Sequence, residues 1–345
     1  MNLFHELLST ETVSDSCRNG LKEKLLVNDL RAKAFGVTSE NVNDVIEQRS
    51  RILKSVYPIY SNFCQNTLQC LPETMLEILW NLWIPLGIEI FSQHQQLKRP
   101  LIQGILGGQG TGKSTLAAML TIILQQLGVN TASLSLDDLY KTYSDRLALQ
   151  QQDSRLIWRG PPGTHDIDVG LTLINQIHQS ETPISIPRFD KSLHHGGGDR
   201  MTPELIDHID ILLLEGWFVG VRPIDDSFFD KPPAPIITRD DKAFARDINS
   251  RLNDYVPLWD KLDSLILLYP MDYHLSKVWR KQAEHRMIAA GKSGMTDAQI
   301  EDFVDYFWRS LHPELFIKPL LTSSDRVNFV IEINTDHSFG QVYKP

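Results

Sequence analysis

The 345-residue sequence is short of cysteine, of positive charge and of long unbroken apolar stretches. Its three cysteines, Cys17, Cys64 and Cys70, have neither disulfide-framework nor zinc-ligand spacing, so we expect inert thiols in a reducing, cytoplasmic setting. Lysine and arginine total 34 against 43 acidic residues, a formal net charge of −9. This balance argues against nucleic acid as a partner, although a small anion bound at one local site remains compatible with it.

Membrane and targeting segments are also missing. The most apolar stretch, Leu76 to Phe91, is interrupted by Asn81, Pro85, Gly87 and Glu89, so we interpret it as a buried helix with a kink and expect no membrane partner. The first twenty residues lack a basic segment followed by an apolar one and are not rich in arginine. We therefore expect neither a signal nor a transit peptide.

The chain has the composition of an ordinary globular protein, and its sequence pattern changes at about residue 99. Hydrophobic residues make up 42%, enough for a large core without disulfides. Residues 1–98 show apolar residues at helical spacing and no convincing strand, which predicts a helical N-terminal region. From residue 99 onward, helical segments alternate with six predicted strands: Leu101–Leu106, Val129–Leu136, Pro183–Pro187, Ile209–Leu214, Leu265–Tyr269 and Asn328–Ile333. This alternation predicts an α/β domain over 99–345, with a mainly parallel sheet and helices on both faces.

The strongest motif follows the first predicted strand and opens a predicted helix over 114–127. It fits G-x-x-x-x-G-K-[ST] with Gly107, Gly108, Gln109, Gly110, Thr111, Gly112, Lys113 and Ser114. Its glycines let successive backbone N–H groups converge on an anion, and the helix N-terminus adds unsatisfied donors. We expect Lys113 to reach the β- and γ-phosphates of ATP, Ser114 to bind Mg²⁺, and Thr115 to belong to the same nucleotide site.

Two predicted strands end in carboxylates. Asp137 and Asp138 follow the second strand, and Glu215 follows the strand predicted at Ile209–Leu214 (IDILLL). Ligands of an open parallel sheet bind beyond the carboxyl ends of its strands, where a carboxylate can hold Mg²⁺ or accept a proton from a hydroxyl. Asp137 comes directly off its strand and is the better candidate base, whereas Asp138 would assist the metal or hold the loop. A phosphate cradle alone does not distinguish kinases from ATPases or GTPases, so the assignment as a kinase depends on these carboxylates.

These segments resemble a known group. The chain is similar to the phosphoribulokinase, uridine kinase and pantothenate kinase group of P-loop kinases in three segments: Gly107–Ser114, Leu136–Tyr140 (LDDLY) and Leu214–Gly216 (LEG). In that group the first aspartate after the second strand is the base towards a substrate hydroxyl, and the acid of the Glu-Gly segment is tied to Mg²⁺. The resemblance implies a P-loop kinase fold, with these two roles for Asp137 and Glu215.

Further segments point to one branch, the D-glycerate 3-kinases of the plant and cyanobacterial type. The similar segments are Arg159–Asp166, Pro187–Ser192 with Gly198–Arg200, Glu215–Trp217, and Trp279–Glu284 with Gly291–Met295. The resemblance implies ATP-dependent phosphorylation of glycerate to 3-phosphoglycerate. The chain departs from the expected pattern at Phe189, where we expect tyrosine, and in the proline-rich turn Gly160–Gly163.

An acceptor as small as glycerate needs cations for its carboxylate and a base near the reacting hydroxyl. Arginine holds a carboxylate bidentately, and the segments between residues 159 and 200 are rich in cations despite the acidic chain. The residues that we expect at the acceptor site are Asp137, Tyr140, Arg159, His165, Arg188, Lys191 and Arg200.

P-loop kinases close a helical lid over the phosphates, and we expect that lid at about residues 277–312. By its position in the WRKQAE segment, Arg280 is the first candidate to meet the γ-phosphate and to serve catalysis beside Asp137 and Lys113. Arg286 is second, because it lies about 240° around the helix from Arg280. Alternatives remain open: a uridine-, pantothenate- or ribulose-phosphate-type kinase, or a nucleotide switch without an acceptor. The last is disfavoured by the lack of an N-K-x-D guanine motif.

Overall fold

The computed structural model describes residues 3–10, 13–289, 291 and 294–345. Its N-terminal part is helical, as the sequence predicts. Side-chain caps start two of these helices: Ser14 accepts a hydrogen bond from the backbone N–H of Cys17, and Asn28 accepts one from that of Arg31. The helices before the first strand are α1 (Leu3–Ser9), α2 (Asp15–Leu26), α3 (Asp29–Ala34), α4 (Val42–Phe63), α5 (Leu76–Ile78) and α6 (Ile84–Leu97).

A six-stranded sheet forms the centre of the protein, with the order β10-β9-β8-β1-β7-β2. Five of the strands run parallel, and β10 pairs antiparallel with β9 at the edge. The strands of this sheet are β1 (Leu101–Gly107), β2 (Thr131–Ser135), β7 (Ile211–Gly216), β8 (Ser264–Pro270), β9 (Phe329–Ile333) and β10 (Phe339–Tyr343). The carboxyl ends of β1, β2 and β7 therefore meet at one edge, as the motif analysis requires.

The remaining elements surround this sheet. Short strands outside it are β3 (Ile184–Ile186), β4 (Phe189–Asp190), β5 (Asp199–Arg200) and β6 (Glu204–Ile206). The helices after β1 are α7 (Lys113–Gln126), α8 (Tyr143–Gln152), α9 (Ile167–His178), α10 (Arg239–Arg251), α11 (Val256–Trp259), α12 (Leu275–Ala289), α13 (Asp297–Ser310) and α14 (Pro313–Phe316). The predicted mainly parallel α/β fold with a helical N-terminal extension is confirmed.

Successive strand residues enter two different hydrophobic cores. In β1, Leu101 and Ile105 pack with the N-terminal helices and α7, whereas Ile102 and Leu106 pack with α9, α10 and α11. Both faces of the sheet are thus buried, which explains why its central strands are continuously apolar rather than alternating. The N-terminal helices form one of the two covering layers, and the boundary at residues 98 and 99 stays a prediction about folding units.

The apolar segment before β1 is a core helix here. The helical run Pro72–Leu97 is long and apolar enough by composition to cross a membrane, yet 61% of its most apolar window is buried inside the fold. A π-helical turn at Leu79–Trp83 introduces the irregularity that the sequence predicted. Gly87 lets α6 approach α7, because a Cβ at this position would lie 2.5 Å from Cγ2 of Ile123.

Two strand predictions need correction. The segment predicted at Pro183–Pro187 is the short strand Ile184–Ile186, and it pairs antiparallel with Glu204–Ile206 outside the main sheet. The edge strand Phe339–Tyr343 was not predicted at all. Its glycine and glutamine break the apolar run, and Val342 is its one buried residue, so it lacks the pattern of a central strand.

Candidate active site

The phosphate cradle connects β1 directly to α7. Gly110 and Gly112 adopt φ values of 79° and 86°, which only glycine reaches without strain. A Cβ at Gly110 would also lie 2.9 Å from the Cβ of Trp279, so the loop passes close under α12. Thr111 closes the turn by donating its hydroxyl to the carbonyl of Gly108 at 2.9 Å. The loop is therefore held in the curled form that directs backbone N–H groups towards an anion.

Lys113 begins α7 and lies between two carboxylates. Its ammonium donates to the carbonyl of Gly108 at 2.9 Å. Burial lowers its pKa, while the charges of Glu215 and Asp137 act in the opposite direction. The lysine is thus a desolvated cation at the helix N-terminus, the arrangement in which one charge acts most strongly on a phosphate. Thr115, two residues after Lys113, is half-buried and does not line the cleft.

Ser114 and Glu215 meet because β7 lies next to β1. The serine hydroxyl donates to Oε1 of Glu215 at 3.0 Å, and the glutamate is 8% exposed. A hydroxyl and a carboxylate oxygen are the hard ligands that Mg²⁺ prefers, with phosphate and water oxygens completing the octahedron. No cluster of three or more His, Cys, Asp or Glu suited to a metal exists in the described part of the chain. The donor set fits a magnesium ion shared with a nucleotide.

Asp137 lies in a short 3₁₀-helix, Leu136–Leu139, that follows β2. Its Oδ2 atom is 2.6 Å from Nζ of Lys191, and the Tyr140 hydroxyl hydrogen-bonds to the same carboxylate. Burial disfavours the ionised form, but Lys191 and the hydrogen bonds outweigh it, so the pKa of Asp137 lies below its ordinary value. The aspartate is consequently ionised at neutral pH, which is the state that a proton acceptor needs.

Asp138 holds the neighbouring loop. Its carboxylate accepts hydrogen bonds from the backbone N–H groups of Ser135 at 3.0 Å and Phe189 at 3.2 Å. It also pairs with Arg188 at 3.3 Å. Of the two roles that the sequence left open, the geometry favours holding the loop over assisting the metal.

The four predicted acceptor cations divide into two pairs. Arg159 and Lys191 line the cleft that contains the phosphate cradle. Arg188 instead binds Glu204 at 2.6 Å and the carbonyl of Ser133. Because nearby carboxylates and carbonyls take up its guanidinium, Arg188 does not line the cleft, and its placement favours a supporting role over the expected acceptor contact.

Arg200 is placed like Arg188. It donates to the carbonyl of Tyr140 at 2.9 Å and to Asp166 at 2.8 Å, and it does not line the cleft either. These two bonds fix the backbone of Tyr140, which itself lines the cleft and lies close to Asp137. In this arrangement Arg200 supports the acceptor site from behind, and its expected direct contact with the acceptor stays a prediction.

His165 is buried behind Tyr140. The two rings stack at 4.6 Å, and Nδ1 of the histidine is 2.8 Å from the hydroxyl of Tyr255. Burial lowers the pKa of His165 to about 3, so the ring is neutral at physiological pH. It is 2% exposed and does not line the cleft. We expected an acceptor contact, but this placement indicates a residue that positions Tyr140.

Arg146 lies in a pocket next to the cleft, and the sequence analysis missed it. Its guanidinium donates to the carbonyls of Gly197 at 2.7 Å and Gly198 at 2.5 Å, while Arg159 donates to that of Gly196 at 2.6 Å. Among the residues that the structure describes, neither arginine forms a salt bridge. Two arginines without a salt bridge thus converge on the glycine run. That run was the available signal, because closely spaced glycine carbonyls attract arginine donors.

The loop that carries Arg159 is anchored at its start by Asp153. This carboxylate binds Arg155 at 2.8 Å and Arg251 of α10 at 2.6 Å. The hydrogen bond from Arg155 is the main reason that the pKa of Asp153 falls from 3.8 to about 2. A carboxyl with a depressed pKa stabilises the fold above its ordinary pKa, and this contribution is lost as the pH falls through the folded value.

We expect Asp153→Asn to lower the free energy of unfolding by about 2 kcal/mol at pH 7. The difference from the wild type should shrink by about half at pH 3, because the carboxyl of the unfolded chain is then largely protonated whereas that of the folded protein is still ionised. Urea unfolding at both pH values measures it. Asp247→Asn, which removes an exposed partner of Arg155, is the control and should cost less than about 1 kcal/mol. An Asp153→Asn effect independent of pH would contradict the linkage.

The predicted lid consists of α12 and α13, and its arginine reaches the cleft. Arg280 pairs with the buried Glu284 at 3.0 Å and lies over the ring of Phe303 at 5.4 Å. Trp279 anchors this part of α12 by donating to the carbonyl of Thr335 at 3.2 Å. Arg280 lines the cleft, in keeping with its choice as the first candidate.

The second lid candidate, Arg286, lies elsewhere. It is exposed, bonds to the carbonyl of Gln282 at 3.2 Å and does not line the cleft. Within the Gly291–Met295 segment, Lys292 and Ser293 lie outside the described residues.

These groups surround one cleft of about 500 Å³. The cradle with Lys113 and Ser114 lines it, together with Asp137, Lys191 and Arg159. Trp217 and other aromatic side chains close the remaining wall. A phosphate-binding loop, two candidate metal ligands, a base and several cations in one cleft can support transfer of a phosphoryl group to a small hydroxylated anion.

Comparison with known proteins agrees with this chemistry. No protein-family model matches the chain. It is 32% identical over 221 residues to the uncharacterized kinase mug58 of Schizosaccharomyces pombe, covering 61% of this chain and 79% of that protein. It is 28% identical over 254 residues to the chloroplastic D-glycerate 3-kinase of Arabidopsis thaliana, covering 69% of this chain and 54% of that protein.

A solved structure gives the same result for the fold. The D-glycerate 3-kinase of Cryptococcus neoformans superposes with a TM-score of 0.68 at 26% identity. The superposition covers 76% of this chain and 99% of that protein.

Proposed function

Because this chain belongs to the family of P-loop kinases that includes D-glycerate 3-kinase, we propose that it transfers the γ-phosphoryl group of ATP to the 3-hydroxyl of D-glycerate. One observation carries the choice of acceptor. Asp137 shares a cleft with Lys191 and Arg159, and Arg159 has no carboxylate partner among the described residues. A base beside Arg159, a cation without a carboxylate partner among the described residues, suits a short hydroxy acid better than a neutral nucleoside.

The chain's own groups divide the work of the reaction. Backbone N–H groups of residues 108–113 and the ammonium of Lys113 bind the phosphates. Ser114 and Glu215 would hold Mg²⁺, which when bound neutralises charge on the phosphate oxygens. Arg280 adds a further positive charge from the lid side of the cleft. These fixed charges stabilise the transition state, which is the main contribution of a protein to phosphoryl transfer.

The proposed step replaces one oxygen on the γ-phosphorus by another. The 3-hydroxyl oxygen of glycerate forms a bond to the γ-phosphorus, and the bond from that phosphorus to the bridging oxygen breaks. The electron pair of the broken bond stays on the β-phosphate of ADP, and the hydroxyl proton passes to the carboxylate of Asp137. The products are 3-phosphoglycerate and ADP, and Asp137 returns its proton to solvent.

The acceptor wall is built for precision by groups that do not touch substrate. Asp138 and Arg188 tie residue 189 to the end of β2, and Arg200 fixes Tyr140. His165 packs behind the same tyrosine. Such supports hold a base within the few tenths of an ångström that an in-line reaction requires.

A panel of acceptors tests the proposal. ADP release with glycerate, uridine, pantothenate and ribulose 5-phosphate should be fastest with glycerate, by about 100-fold or more in kcat/KM, because the other acceptors leave the cations or the small volume mismatched. Proton-coupled phosphorus NMR of the product identifies the position: an ester on the primary carbon couples to two protons, and one on the secondary carbon to a single proton. Preference for another acceptor, or a secondary ester, would refute the corresponding part of the proposal.

A further inference from the structure

Lys191 and Asp137 form an ion pair in the middle of the cleft. Nζ of the lysine is 2.6 Å from Oδ2 of the aspartate. The aspartate lies in the 3₁₀-helix directly after β2, whereas the lysine follows β4 in the two-stranded β4–β5 hairpin. The lysine side chain is 59% exposed and the aspartate side chain 29%. The side chain of Lys191 is therefore the one that can change position, whereas that of Asp137 stays in place.

This pair conflicts with the work of a base. To take a proton, an oxygen of Asp137 has to lie within hydrogen-bond distance of the reacting hydroxyl. Oδ2 is engaged by an ammonium, and the Tyr140 hydroxyl bonds to the same carboxylate. An adjacent cation also lowers the affinity of a carboxylate for a proton. In the arrangement seen here, Asp137 is both sterically and electrostatically restrained.

From this geometry we infer that Lys191 restrains the base until the anionic group of an acceptor draws the lysine away. The inference rests on the proposed function, because it assigns the acceptor class of the same site: a hydroxy compound whose negative charge lies close to the reacting hydroxyl. The incoming anion pairs with Lys191 and Arg159, and Oδ2 of Asp137 becomes free for the hydroxyl.

The surroundings make the exchange feasible for an anion and unfavourable for a neutral molecule. A pair with an exposed lysine is held only weakly, so a competing carboxylate can displace it. Arg159 stands in the same cleft without a carboxylate partner among the described residues, and it offers the anion a second cation. Water and neutral alcohols offer Lys191 no charge. The ion pair thereby suppresses ATP hydrolysis while no acceptor is bound.

The decisive experiment measures ATP hydrolysis without any acceptor. Lys191→Gln should raise this rate by about tenfold, which is below the about 10²- to 10⁴-fold that a fully positioned general base contributes. The double variant Lys191→Gln, Asp137→Asn should return to the wild-type rate, because the freed base is then absent. Lys318→Gln, which loses an exposed pair with Glu314 outside the cleft, is the matched control and should not change it. A Lys191→Gln rate equal to that of the wild type overturns the inference.

A second comparison uses glycerate and its neutral methyl ester as acceptors. The wild type should favour glycerate by about 100-fold in kcat/KM. In Lys191→Gln the value for glycerate should fall and that for the ester should rise. A lysine that merely binds the carboxylate would leave the ester unchanged, and that result counts against the inference. If the wild type phosphorylates neither compound, the proposed acceptor is wrong, whereas the hydrolysis experiment still decides whether Lys191 restrains Asp137.

Discussion

Replacing Asp137 with asparagine is expected to lower kcat by about 10³- to 10⁴-fold, the upper range for loss of a general base. Asparagine keeps the shape and one acceptor oxygen but cannot take the hydroxyl proton. ATP binding should stay largely intact, because the cradle, Lys113 and Ser114 supply the phosphate contacts and the substitution removes none of them. Steady-state kinetics together with calorimetric titration of a non-hydrolysable ATP analogue separate these two effects.

The neighbouring aspartate supplies the matched control. Asp138 engages the backbone of Ser135 and Phe189 and the side chain of Arg188. Asp138→Asn should therefore lower thermal stability and raise KM for the acceptor, while changing kcat by less than about tenfold. Near-normal turnover in Asp137→Asn would remove this residue as the base.

The second large effect is expected at Lys113. Lys113→Ala should lower kcat/KM for ATP by about 10³-fold or more, since it removes a desolvated cation aimed at the transferring group. Stability should not fall with activity. The lowered pKa of this lysine means that its charged form is disfavoured in the fold, so at neutral pH its removal relieves a burial cost. Kinetics and urea unfolding of the same variant give the two readouts.

Lys318→Ala serves as the control for Lys113→Ala, because this lysine pairs with Glu314 on the surface. It should leave both the kinetics and the stability close to those of the wild type. Activity of Lys113→Ala within tenfold of the wild type would exclude the lysine from the mechanism. A variant that is both inactive and strongly destabilised would contradict the assignment of Lys113 as a residue held against its folding preference.

The sequence predicted those parts of the site that depend on local pattern. The phosphate cradle is contiguous in the chain, and its glycines leave little freedom of interpretation. The neighbourhood of Asp137 and Glu215 followed from a general property of parallel sheets, since both residues end strands that flank one another at one edge. The buried central strands were predicted as well, because their residues form continuous apolar runs.

What the sequence could not supply is the choice of partner for each cation. Arg188 and Arg200 stand in the same kind of segment as Arg159, but distant carboxylates at Glu204 and Asp166 take up their charges. Arg146 lies in a polar helix with no local feature that sets it apart, and its role depends on glycine carbonyls about fifty residues away. Such assignments are decided by tertiary packing, which no local pattern encodes.

The anchoring of Trp279 has a consequence for the energetics of the lid. This tryptophan is 2% exposed, bonds to the carbonyl of Thr335 and stacks on His337 at 4.5 Å. Arg280 is the next residue, so its backbone is fixed in the same turn of α12. The positive charge that we propose for the phosphates is thus preorganised, and little reorganisation energy is spent on it during each turnover.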